Sequence, residues 1–468
     1  MKHYSKIRRF LTDPEVLIVT GLWLLVFFLF GTPFPYHYDS VNYALAIAEK
    51  FDIGMHQPHP PGYLFHIMFG RVLYLFIKNP FYVQQVQNVI YLFGMVGCLY
   101  MVRERKPCQI LFLGTLPLIL FFPAVPIIHA ASLMFGCWVA FCIGKLEKGE
   151  WSPYLLALIF AISLGFRQDM IILLGPVVLY AFICYKCTPK QWVVIFTIGA
   201  AVTSLWYFPT RLLSSGLEPF EMTNKMNVKF YEKSSVFMGA ALFENVRTAL
   251  RFLIYSLGVL GPGGLVAVYV ASKKLSLRQW VPILLTVAPI VIYGVIFLLS
   301  FSYYYASALG FFAVWALQKN GLPQGKKVLV VLTLLNILFF ALMPMARYTE
   351  WRGSFAERSF TENVAKQLLY AGANSRDLIV NKRDLLTFAD TTAGRASSFY
   401  AQEGIIWDRF WNYLSEHEWG NSYVKDKESA EVIITRSEIP GTAPFAKLKT
   451  VRAYRIDNLS ERLQQETR

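Results

Sequence analysis

Apolar runs long enough to cross a bilayer recur along the chain from Val16 to Met345 and then stop. A membrane-crossing helix takes roughly 20 such residues, so the pattern predicts a mainly α, polytopic transmembrane helical bundle over residues 1–346. The first span should open at Asp13-Pro14-Glu15, with Asp13 as N-cap, Pro14 at the first helical position and Glu15 in the first turn. No small-residue cleavage site follows Phe30, so this span reads as a retained anchor. After Arg347 the pattern changes. Helical stretches such as Glu362 to Tyr370 alternate with strand-like runs, Leu378 to Val380 and Glu431 to Thr435. They predict a small C-terminal α/β domain over residues 347–468.

Composition agrees. The 468 residues are 55% hydrophobic and 16% aromatic, with mean hydropathy +0.42, which is more apolar surface than one soluble core buries. A net charge of +15 and a pI near 9.4 would also suit nucleic acid. The lysines and arginines, however, sit in short loops between apolar runs, the distribution of a positive cytoplasmic face, so no nucleic-acid partner is expected. The basic "KHYSKIRR" start then places the N-terminus in the cytoplasm.

The span count turns on Tyr63 to Ile77. If this stretch lies in the interface, the second span runs from Val83 to Val102, and "RERK" (Arg103 to Lys106), "KLEKGE", "YKCTPK", "SKKLSLR" and "QKNGLPQGKK" all become cytoplasmic. If it crosses, most of them fall outside. The interfacial reading gives about eleven spans, a first outer loop over 31–78 with interfacial helices, and an extracytoplasmic C-terminal domain. The compact chain, with no retention signal, fits a bacterial cytoplasmic membrane. The six cysteines all fall in spans or on the cytoplasmic side, which rules out an exterior disulfide framework, and Cys184-x-x-Cys187 has no second pair in metal-ligand spacing.

Chemistry-bearing residues concentrate on the expected outer side. Asp39 and Ser40 sit at the start of a helix whose Val41, Ala44, Leu45, Ala48 and Phe51 share one side, so that helix should lie flat on the membrane. A carboxylate at a helix N-terminus stays charged and competent as a proton acceptor; a simple capping role is the competing reading. In "HQPHPPGY", three prolines stiffen a loop that carries His56, His59 and Tyr63, with His66 one turn later, and His56 and His59 can donate to a phosphate. The bland alternative is a proline-rich hairpin with interfacial aromatics. Arg71 is read as snorkelling to headgroups. Arg167-Gln168-Asp169 forms a charged outer turn, either a functional group at depth or an internal pair that pins the turn. Arg211, after Pro209, faces the same choice between an anionic headgroup and snorkelling. Tyr303 to Tyr305 read as belt residues, Gly261-Pro262-Gly263-Gly264 as a kink, and Glu416-His417-Glu418 as solvated surface.

The acid after the first span, "HPPGY", the "GFRQD" turn and "SYYYASALGFFAVWA" together resemble the lipid-phosphosugar-dependent glycosyltransferases of C-type fold. These include protein O-mannosyltransferases, the aminoarabinose transferase of lipid A and galacturonosyl transferases of lipopolysaccharide. The resemblance covers roughly residues 10 to 345 and rests on the order and shared side of short motifs. It implies that Asp39 activates the acceptor, and that His59, Tyr63, Arg167, Arg211 and the tyrosines around Tyr304 hold the donor phosphate and sugar. With His56 and Asp169 these form the candidate donor site. Many members carry an Asp-Glu pair where this chain has Asp39-Ser40, so a second acid would come from Asp169, Glu218 or Glu221.

The implied chemistry is coherent by itself. A sugar on polyprenyl phosphate is already activated, the phosphate leaves as an anion, and a single displacement inverts the anomeric centre. No cofactor is expected, and a divalent metal stays open. The implied partners are a polyprenyl-phosphate sugar donor, a lipid, glycan or protein acceptor, and membrane lipids. A transporter or flippase of lipid-linked glycans would show paired halves with broken spans, which the sequence lacks; a glycan polymerase or ligase is a further alternative. The tail from Arg347 suits an acceptor selector or a passive lid equally.

Overall fold

The computed structural model describes residues 2–31, 38–103, 107–225, 277–292, 306–318 and 325–342, short pieces between 235 and 250, and strand residues between 387 and 455. The chain divides into two compact units, Met1–Met343 and Pro344–Arg468.

The first unit is helical. After α1 (Lys2–Leu11), helix α2 (Pro14–Phe30) starts on Asp13, whose side chain accepts from the backbone N–H groups of Glu15 and Val16. Arg103, just past α5 (Pro80–Val102), clamps that start by pairing with Asp13 and, at 3.2 Å, with Glu15. Glu15 also accepts from the N–H groups of Cys108 and Ile110 at 2.8 and 3.0 Å, and so caps α6 (Gln109–Gly114). At the far end of α2, Phe27 meets the Tyr82 ring at 6.0 Å. Helices α2 and α5 are therefore antiparallel along their whole length. The chain between them leaves and returns at one face.

The Tyr63 to Ile77 stretch lies within that return. Its helix, α4 (Leu64–Tyr74), has 11 residues and spans roughly 16 Å, about half of a bilayer core of roughly 30 Å. Helix α3 (Tyr38–Ala48) precedes it in the same loop. Here two expectations fail. The helix opens at Tyr38, so Asp39 stands in its first turn instead of capping it. Ser40 to Ile47 are all buried, so α3 is an internal helix wedged among its neighbours and not a one-sided helix lying on a surface.

The alternation of faces continues. After α7 (Pro117–Phe121), α8 (His129–Glu147) runs beside α5 in the same direction, Asn88 bonding the Val125 carbonyl at 2.9 Å and Cys98 that of Cys137 at 3.4 Å. Helix α9 (Pro153–Phe166) returns, with Trp151 against Phe141 at one end and Phe166 against Phe135 at the other. The pair α10 (Met170–Leu173) and α11 (Gly175–Cys184) goes back, and α12 (Pro189–Leu213) comes up to the first loop again. Pro209 lies inside α12, which ends at Leu213. Among the described residues three helices, Pro80–Val102, His129–Glu147 and Pro189–Leu213, are long and apolar enough to cross a membrane.

Helix α13 (Leu277–Val291) is followed by α14 (Ala306–Gln318) and α15 (Lys326–Leu342). Helix α14 presses backbone to backbone on α8. A Cβ on Gly136 would fall 2.0 Å from the Ser307 carbonyl oxygen, and one on Gly310 would fall 2.1 Å from that of Leu133. This is the close approach that small residues allow between helices.

The second unit carries a five-stranded mixed sheet in the order β1-β4-β5-β3-β2, from Thr387–Phe388, Phe399–Ala401, Val432–Thr435, Ala446–Leu448 and Val451–Arg455 as β1 to β5. Strand β3 falls on the Glu431 to Thr435 run; β2 pairs with it in parallel and β5 antiparallel. The stretches Glu362 to Tyr370 and Leu378 to Val380 lie outside the described residues.

Candidate functional site

The site begins with the loop between α3 and α4. Asp52 caps the turn Ile53–Met55 by accepting from Gly54 N–H at 3.0 Å, pairs with Lys50 at 2.9 Å, and bridges its backbone to Gln57. Burial works against its charged form, but Lys50 and the Gly54 amide outweigh it and hold the carboxyl below its ordinary range. Sequence reading passed over this acid. The loop is strapped to α12 at two points: Ile53 N–H donates to Ser214 Oγ at 3.0 Å, and Gly62, at φ 114°, lies against Thr210. His56 ends the turn with a left-handed backbone, φ 56°, its N–H donating to Ile53 O.

On this frame the rings of Tyr43, His59 and Tyr63 pack edge to face or tilted, with centroids 5.0–5.6 Å apart. Asp39 stands one helical turn before Tyr43, on the same side of α3. His59 Nε2 lies 3.4 Å from Asp39 Oδ1 and 3.0 Å from the Tyr43 hydroxyl, while Nδ1 lies 2.7 Å from the carbonyl of Pro60. The Asp39 side chain is 23% exposed and that of His59 11%, so the carboxylate is the more accessible of the two.

Arg167 arrives from the end of α9 and is 4% exposed. Its guanidinium lies 5.7 Å from the Tyr63 ring centroid and grips Asp169 with two bonds, Nε to Oδ1 at 3.0 Å and Nη2 to Oδ2 at 2.5 Å. Desolvation alone would lower its pKa, but Asp169 and then Tyr63 more than offset that, so the group stays charged. The internal pair that pins the turn is thus present, and the cation faces the ring cluster as well. Gly165 leaves the space that the Phe65 ring fills, which docks α4 on α9.

Behind the cluster, His66 Nδ1 meets the Tyr91 hydroxyl at 3.0 Å, and Gln87 Nε2 donates to the His66 carbonyl at 2.8 Å. Burial, and then the Arg167 charge, push the His66 imidazole down to about 3. An unfolded histidine at 6.5 binds a proton that the folded one refuses, so stability is present above that value and is lost as pH falls toward 3. The unfolding temperature should therefore fall between pH 6.5 and 5 in the wild type, and fall less in His66→Gln, as followed by thermal unfolding in detergent.

Arg71 does not reach out to headgroups. Its Nε and Nη2 donate to Ala46 O at 3.0 and 2.8 Å, and Nη2 also to Glu49 O at 3.0 Å, so α4 holds the carbonyl end of α3. Arg71→Met should lower stability by about 1–3 kcal/mol, with Arg71→Lys between it and wild type; equal thermal unfolding of all three would reject the clamp.

Two candidates remain. Arg211 is exposed and donates from Nε to Gly216 O at 3.2 Å, closing the turn after α12. Tyr304, with Tyr303 and Tyr305, lies outside the described residues, as do Gly261 to Gly264 and Glu416 to Glu418. Glu218 accepts from the Tyr207 hydroxyl at 2.7 Å, and Glu221 pairs with Lys225. No cluster of three His, Cys, Asp or Glu suited to a metal occurs among the described residues. Tyr43 was missed from sequence, although its place four residues after Asp39 signals a shared helix face.

No family model matches the chain, and no curated protein matches it. Among solved structures, the chain is similar to the crystal structure of ArnT from Cupriavidus metallidurans bound to undecaprenyl phosphate, with 13% sequence identity and a TM-score of 0.47 over 78% of this chain and 67% of that one.

Proposed function

We propose that this chain is a membrane glycosyltransferase that moves a sugar from a polyprenyl-phosphate donor to a lipid, glycan or protein acceptor on the outer face of the membrane. One observation carries the reading. A half-open carboxylate, Asp39, shares one end of the helical unit with His59, Tyr63 and the buried cation Arg167, drawn from three separated segments. An ionised carboxylate is the group needed to deprotonate an acceptor, and the nearby donors suit a phosphate that leaves as an anion. The ordered motifs that resemble lipid-phosphosugar transferases support the same reading.

In this mechanism the donor phosphate lies toward Arg167 and Tyr63, and the acceptor approaches Asp39. The carboxylate takes the acceptor proton as the new bond forms at the anomeric carbon from the face opposite the phosphate, which inverts that centre. The side holding Arg103 and Lys145 is the cytoplasmic one by its charge. Supplying purified, reconstituted protein with radiolabelled polyprenyl-phosphate hexoses and pentoses tests the proposal. Release of free polyprenyl phosphate together with a labelled acceptor is expected. Movement of intact donor across the vesicle wall without cleavage would replace the enzyme with a transporter.

A further inference from the structure

The donor and acceptor roles around His59 are fixed by its neighbours. A carbonyl oxygen only accepts, so the 2.7 Å contact with Pro60 O requires a proton on Nδ1. Nε2 then has two states. As a neutral imidazole it accepts from the Tyr43 hydroxyl at 3.0 Å; once protonated it donates to Asp39 Oδ1 at 3.4 Å. Exposure orders the two side chains, with Asp39 the more accessible and His59 the more buried.

We propose that Asp39 and His59 form a proton-relay pair, with His59 as a second acid-base group behind the carboxylate. The inference rests on the glycosyl-transfer reading. In the step, the acceptor's O–H or N–H bond breaks and its proton goes to Asp39. The acceptor atom bonds the anomeric carbon, and the bond from that carbon to the phosphate oxygen breaks with its electron pair on the phosphate. The proton then passes from Asp39 to His59 Nε2. The imidazolium is held by the Asp39 carboxylate on one side and the Pro60 carbonyl on the other, and Asp39 is again a base. The proton leaves later, to water or to the departing phosphate, so charge and atoms balance. A histidine that instead gripped the donor phosphate would have to break from Asp39 and Tyr43 to do so.

The two roles separate in kinetics. His59→Asn keeps a donor for the Pro60 carbonyl and His59→Gln keeps a polar atom beside Asp39, yet neither can bind a proton. With radiolabelled polyprenyl-phosphate sugar in reconstituted protein, kcat should fall about 10²-fold or more in both. The KM for donor, and the affinity for unlabelled polyprenyl phosphate, should stay within about threefold. Because the pair acts as one unit, Asp39→Asn combined with His59→Gln should lose no more than Asp39→Asn alone. Weakened polyprenyl-phosphate binding with kcat preserved at saturation, full activity in both variants, or additive losses would each overturn the relay while leaving the transferase standing. A wild-type protein that cleaves none of the donors would remove both readings together.

Discussion

Asp39→Asn should insert, fold and bind polyprenyl phosphate like the wild type, and lose transfer by about 10²–10⁴-fold. The substitution keeps the shape of the side chain. It removes no cap, because α3 opens at Tyr38, and the new amide N–H can donate to the neutral His59 Nε2. Folding therefore has little reason to respond, whereas an amide cannot take a proton from an acceptor at neutral pH. Thermal unfolding and initial rates measured on the same preparation separate the two effects. Wild-type rates in this variant would reject Asp39 as the base, and a collapsed unfolding temperature would show that its role is structural.

Gly310→Leu is expected to prevent accumulation of folded protein. Even the first carbon of the new side chain would fall 2.1 Å from the Leu133 carbonyl oxygen and 3.1 Å from the Cys137 nitrogen, and both are backbone atoms that cannot swing aside. The helices would have to separate, breaking the Cys137 Sγ contact with Gly310 O at 3.2 Å and exposing the buried face of α14. Overpacking of this kind costs about 3 kcal/mol or more, a large fraction of the stability of most domains. Gly199, in α12, is the control: nothing lies within 4 Å of a Cβ there, so Gly199→Ala should be neutral or stabilising by up to about 1 kcal/mol. Chromatography with fluorescence detection and thermal unfolding report both. Similar behaviour of the two variants would reject close packing as the reason for Gly310.

Several features were legible because they are local. The start of α2 follows from Asp13, Pro14 and Glu15, and the spacing of Asp39 and Tyr43 is enough to place them on one helical face. The helix pairings put Arg103 and Asp13 at one end of the unit and Asp39, Tyr63 and Arg167 at the other. The same reasoning failed where partners are remote. Arg71 looked like a residue for headgroups because the carbonyls it binds are 25 and 22 positions away in sequence. Helix α3 looked amphipathic because an apolar stripe predicts one buried face and is silent about what covers the others. Helix interiors disfavour proline, yet α12 continues one more turn past Pro209 and its Thr210 packs on the first loop.

By itself the sequence determined what each segment prefers: where apolar runs become helices, where caps and basic loops end them, and which residues bring ionisable groups. The tertiary structure alone decided which of those groups meet. His59 turned toward Asp39 and Tyr43, the Arg167 guanidinium came to lie over the Tyr63 ring, and a strap from Ile53 to Ser214 joined positions 161 apart. The physical reason is range. Propensity and capping act within a few residues of the chain, whereas a proton position or an ion pair is set by whichever atoms packing brings within about 3 Å.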